Sequence, residues 1–77
     1  MIEVEKTTLE YRDAYSDKVY IAILYKLDND QYQVIFKYGR RGNVNNEVKK
    51  PVMSFGDAQG VYQKQINQKL AKGYVKQ

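Results

Sequence analysis

In the run Phe36-Lys37-Tyr38-Gly39-Arg40-Arg41-Gly42, one aromatic, two glycines and two arginines fall within the five positions from Tyr38 to Gly42. An aromatic ring offers a flat face to a base or a sugar. Glycines let the backbone turn and approach a ligand closely. Arginine guanidinium groups are planar, always charged and matched to phosphate oxygens. These residue types at this spacing suit contact with a nucleic acid better than they suit catalysis.

Other chemistry is poorly supplied. The chain has no histidine and no cysteine, so the usual general base and the best nucleophile are missing. A zinc site would need carboxylates alone. Glu3 and Glu5 share one face of an extended segment, but edge strands carry such charge to block aggregation. Asp28 and Asp30 mimic the start of a calcium loop. Gln33 stands where that loop needs glycine, and Gly39 where it needs a carboxylate. Gly39-Arg40-Arg41-Gly42 matches a glycine-x-x-glycine loop that joins two helices in the KH family, yet strand-like residues flank it here. The expectation is a protein that is not an enzyme and takes no cofactor or metal.

Charge reinforces the nucleic-acid reading. Residues 1–36 carry four basic and seven acidic side chains, and residues 37–77 carry nine basic and two acidic ones, so a net −3 is followed by a net +7. The basic part begins at the arginine-glycine segment. Such asymmetry points to an acidic partner, nucleic acid foremost; lysines that only solvate a final helix are the alternative. Seventy-seven residues make one domain, residues 1–77. A chain this short buries only about 60% of its unfolded surface. The first residues lack the apolar core of a signal peptide, and no apolar run approaches the ~20 residues that span a bilayer. A cytoplasmic protein without membrane contact is expected.

The elements that must position the segment follow from periodicity. Residues 1–13 alternate loosely and predict an edge strand or strand pair. Val19–Leu27 is dense in β-branched and aromatic residues and predicts a strand. Asp28-Asn29-Asp30 is a turn, and Tyr32–Tyr38 completes a hairpin. Tyr32, Val34, Phe36 and Tyr38 then share one face, with Gln33, Ile35 and Lys37 on the other. Asn45 and Asn46 read as loop, and Glu47–Met53 as a further strand, at an edge or bulged at Pro51, which has no N–H. Ser54 predicts a helix N-cap, with Gly56 as the alternative cap. Ala58, Val61, Tyr62, Ile66 and Leu70 recur as one apolar stripe, Gly73 ends the helix, and Tyr74 folds back on the core. The fold class is α+β and β-rich: a twisted antiparallel sheet of four to five strands with one C-terminal amphipathic helix.

The ordered series resembles the WGR domain, a module of DNA-dependent poly(ADP-ribose) polymerases and of bacterial molybdate-regulator-like proteins. The resemblance rests on Tyr32 to Gly42 as the strand and signature, on Val48-Lys49-Lys50-Pro51, on Phe55-Gly56-Asp57-Ala58 and on Lys72-Gly73-Tyr74. Asp17 to Leu24 stands where the family has a preceding strand. Tyr38 replaces the tryptophan of the family signature. The resemblance implies that Tyr38 packs on a sugar at a DNA end or nick and that Arg40 contacts backbone or a neighbouring domain. Arg40 fixed inside the domain against a carboxylate or carbonyl is the alternative. The candidate nucleic-acid-binding residues are Tyr38, Gly39, Arg40, Arg41, Lys37, Lys49 and Lys50. Lys64, Lys69, Lys72 and Lys76 read as solvating side chains, and Tyr11, Tyr20, Tyr25, Tyr32 and Tyr62 as packing residues. The expected partner is DNA, held through its backbone without base reading, by a monomer or weak homodimer. A protein-interaction module is the second reading, and a tyrosine patch remote from the arginines is what would favour it.

Overall fold

A computed structural model describes residues 1–77. The strands are β1 (Ile2–Arg12), β2 (Asp17–Lys26), β3 (Tyr32–Arg40), β4 (Asn43–Lys49) and β5 (Val75–Lys76), and the helix α1 is Phe55–Ala71. The strands form one antiparallel sheet in the order β4-β3-β2-β1-β5. The α+β, β-rich expectation holds. No helix is long and apolar enough to cross a membrane.

The register puts every second residue on the helix side. Tyr20 lies opposite Tyr38, Ala22 opposite Phe36 and Leu24 opposite Val34, while Leu9 lies opposite Tyr20. All of these except Tyr38 meet Ala58, Tyr62 and Ile66 of α1 in a single core cluster. Leu9, Ala22, Leu24 and Val34 are fully buried there. The hydroxyl of Tyr62 is within 2.7 Å of Thr7 Oγ1, so the polar tip of the ring is satisfied on the way into the core. On the other sheet face, Val19, Ile23 and Ile35 are buried too.

Ser54 caps α1, its hydroxyl accepting from the Asp57 backbone N–H at 3.3 Å. At the other end Gly73 has φ +103°. Its N–H bonds to the Leu70 carbonyl, and the Tyr74 N–H bonds to the Lys69 carbonyl. That double closure is the left-handed helix stop that glycine favours. It turns the chain so that β5 adds to β1 at Leu9 and Glu10, a strand that periodicity did not reveal because it is two residues long. β1 is therefore one long strand, covered along part of its outer edge.

Two expectations shift. The strand expected over Glu47–Met53 runs instead from Asn43 to Lys49. The turn through Arg41 and Gly42 is so short that pairing starts at once, Arg40 opposite Asn43, with a register irregularity before Tyr38 meets Asn46. Hairpin geometry overrides the weak strand preference of asparagine. Pro51 then ends the ladder, and Met53 makes only a bridge to Tyr32. Leu70, expected in the buried stripe, is exposed, and Lys69 is half-buried in its place. At 3.6 residues per turn Lys69 lies about 20° from the direction of Ala58, and Leu70 about 120° from it. Helical angle, not side-chain type, decides which residue faces the sheet.

Candidate nucleic-acid interface

Tyr38 stands near the end of β3, on the helix side, where α1 no longer covers the sheet. Its side chain is exposed, with the residue at 37%. The ring stacks on Tyr20, centroids 5.8 Å apart and planes 21° from parallel. Tyr20 itself is buried, held between Phe36 at 5.6 Å and Tyr38. Its hydroxyl accepts from Gln65 Nε2 at 3.0 Å. Burial raises the pKa of that phenol, so the neutral form is favoured. A buried, hydrogen-bonded ring under an exposed one makes a rigid support for stacking.

Gly39 explains why the signature needs glycine. A Cβ there would collide with the Asn43 carbonyl oxygen and crowd Val44 Cα, and its φ of +157° disfavours other residues as well. The missing side chain lets β4 close against β3, and the chain then brings Arg40 back to the helix side opposite Lys18.

The flanking tyrosines and lysines were not singled out in the sequence as site residues. Tyr74, turned by the Gly73 stop, packs against Tyr11 at 5.4 Å and edge-on to Tyr20 at 6.4 Å. Lys69 Nζ lies 4.6 Å from the Tyr20 ring centre and 5.5 Å from that of Tyr74. Lys18 Nζ lies 5.9 Å from the Tyr11 ring. These are cation–π distances. Burial lowers the Lys69 pKa, and repulsion from Lys72 and Lys18 adds to it. Lys18, Arg40, Lys50, Lys69 and Lys72 form no ion pair. A cluster of cations held together without carboxylate partners raises the local potential, which an anion relieves.

The expected residues are divided between the two faces. Tyr38, Gly39 and Arg40 line one concavity together with Lys18, Asn46, Lys69 and Tyr74. Lys50 lines the adjoining one with Tyr38, Tyr20 and Lys69. Lys37 pairs with Ile21 and Lys49 with Ile35, which sets both on the opposite face of the sheet. Arg41 also goes to that side. Its Nε donates to both oxygens of Asp17 at 3.0 and 3.1 Å, and its Nη2 donates to Glu10 at 2.6 Å. Glu10 also accepts from Gln77 Nε2 at 3.0 Å. Arg41, rather than Arg40, is the arginine held by carboxylates. The hydrogen bond from Arg41 holds the Glu10 carboxyl below its ordinary range. A separate hollow by the β1–β2 loop has Arg12, Arg40 and Arg41 on its wall, but Asp13 and Asp17 neutralise much of that charge.

A spacing signal for Lys69 was available, since eleven residues separate it from Ala58, three full turns. No comparable signal exists for Lys18, because its neighbourhood depends on how β2 meets β3 and α1.

A small α+β domain with an aromatic-and-cation face beside a glycine-pinched hairpin has the make-up of a small recognition module. Comparison with family models makes the assignment specific: residues 5–77 match the WGR domain. The chain belongs to the WGR family, whose domains are non-catalytic modules associated with nucleic acid. No curated protein and no solved structure matches the chain significantly.

Proposed function

We propose that this WGR domain binds DNA through sugar and phosphate contacts, preferring strand ends or nicks, and does so in the cytoplasm without catalysing a reaction. The observation that carries the reading is the exposed Tyr38 ring, supported by Tyr20 and surrounded by the unpaired cations Arg40, Lys18 and Lys69. Tyrosines mixed with cations favour nucleic acid over a protein partner, which a segregated apolar patch would have favoured. Attraction by the cations comes first, and docking of Tyr38 on an exposed sugar follows. Backbone contacts of this kind position a strand but read no sequence. Arg41 takes a positioning role, holding the turn from behind.

The test is fluorescence-anisotropy titration of labelled blunt, nicked and covalently closed duplexes at two salt concentrations. Preference for an end or nick, weakened by Tyr38→Ala and by Arg40→Ala, is the expected result. Absence of binding to any DNA at low salt sinks the reading.

A further inference from the structure

Three concavities meet at Lys69. The first holds Lys50, Tyr38 and Gln65. The second holds Tyr38, Arg40, Lys18 and Tyr74. The third holds Tyr74, Tyr11, Lys18 and Lys72. Neighbouring concavities share an aromatic, Tyr38 between the first and second and Tyr74 between the second and third, and Lys69 lines all of them. Their volumes, about 360, 340 and 450 Å³, fall in the range of ordinary ligand clefts. They make one continuous groove. The C-terminal part of α1 and its capping residue form one wall through Gln65, Lys69 and Lys72, and the uncovered end of the sheet forms the other. Its only carboxylate is Asp13, in the last concavity.

Alternation of aromatic steps with unpaired cations is the arrangement that follows a flexible nucleic-acid strand, stacking bases while tracking phosphates. A duplex end alone would use one platform, Tyr38, and would leave Tyr74, Tyr11 and Lys72 without a contact. Groups that continue past Tyr38 in both directions call for a strand that continues as well. Resting on the DNA-binding reading, we propose that this groove holds a single-stranded DNA segment crossing Tyr38, from Lys50 at one end to Lys72 at the other. Each concavity takes one phosphate, and the bases stack on or beside Tyr38 and Tyr74. Asp13 repels the backbone beyond Lys72 and closes the track.

The experiment measures affinity for one hairpin duplex carrying single-stranded thymidine tails of increasing length, beside the blunt hairpin. For a site at the short end of single-domain tracks, affinity should rise about tenfold as the tail reaches about four nucleotides and then level off. Three phosphates on a single strand should contribute a salt slope of roughly 2 in log–log terms. Lys50→Ala and Lys72→Ala sit at opposite ends of the groove and outside the core, and unchanged thermal melting will show that both variants fold. Lys72→Ala should remove the gain from the tail while leaving blunt-duplex binding nearly as it was, whereas Lys50→Ala should weaken both. Equal affinity for tailed and blunt duplexes, or a tail effect untouched by either variant, overturns the groove and leaves the end-binding reading standing. Absence of binding to every substrate removes both.

Discussion

The two sides of the sheet near the signature treat adjacent arginines in opposite ways. On the helix side, Arg40 lies among Tyr38, Lys18 and Lys69 with no carboxylate partner. On the other side, Arg41 is bound by Asp17 and Glu10, which belong to two further strands. One residue of displacement along the chain switches the face, and the face decides the role. The helix side collects aromatic groups that pack on one another and cations without carboxylate partners. The far side uses its charge to tie together β1, β2, the β3–β4 turn and, through Gln77, the C-terminal tail. An arginine pair in a sequence is thus not a double contact by default.

The largest way to disturb this division is to remove the pinch that creates it. Gly39→Ala places a methyl against the Asn43 carbonyl in a conformation that costs a non-glycine residue of the order of 1–3 kcal/mol. In a domain of this size, 2 kcal/mol lowers the melting temperature by roughly 10 °C, and calorimetry checks it. A melt unchanged from the parent would mean that β4 can slide away from the turn. Next come the two arginines compared directly. Arg40→Ala should weaken DNA binding about tenfold, the loss of a charge-assisted contact, with thermal stability nearly unchanged. Arg41→Ala should do the reverse, lowering the melting temperature while altering affinity much less. Equal effects of both variants on affinity would erase the distinction between the faces.

A smaller effect separates the lysines. Lys50→Ala should reduce the salt slope of duplex binding by nearly one, the value for one lost phosphate contact. Lys37→Ala and Lys49→Ala should leave that slope almost where it was. The smallest effect concerns pH. The Glu10 carboxyl is held below its ordinary range by the Arg41 hydrogen bond. A depressed carboxyl contributes stability above its unfolded pKa, near 4.5, and that contribution disappears as pH falls through the lower folded value. Melting temperature should therefore drop below about pH 4.5, and Arg41→Ala should flatten that part of the curve. Asp13, lowered chiefly by the Tyr15 backbone N–H from an ordinary value of 3.8, acts in a window that begins somewhat lower and survives in the variant, so part of the drop remains.

Much of the architecture was legible in the residue pattern. Alternation over Tyr32–Tyr38 set Val34 and Phe36 inward and put Tyr38 on their face. Ser54 and Gly73 marked the helix ends. Asn29 and Asp30 adopt the left-handed turn conformation that their side chains tolerate. The site was legible only in part. Tyr38, Gly39, Arg40 and Lys50 come from the signature and its following strand, whereas Lys18, Lys69, Tyr11 and Tyr74 come from segments far apart in the sequence. Their convergence depends on strand order, helix placement and the addition of β5 to β1, none of which a local pattern encodes.

The sequence by itself determined the periods, the turns, the caps and the charge split, because each of these is a local preference of backbone and side chain. Tertiary structure alone decided which cations remain unpaired. Glu10 and Asp17 neutralise Arg41 because the sheet register sets them beside it. Lys18, drawn from the acidic part of the chain, joins the basic groove because β2 meets β3 there. Electrostatic potential is a property of positions in space, and only the packed fold assigns those positions.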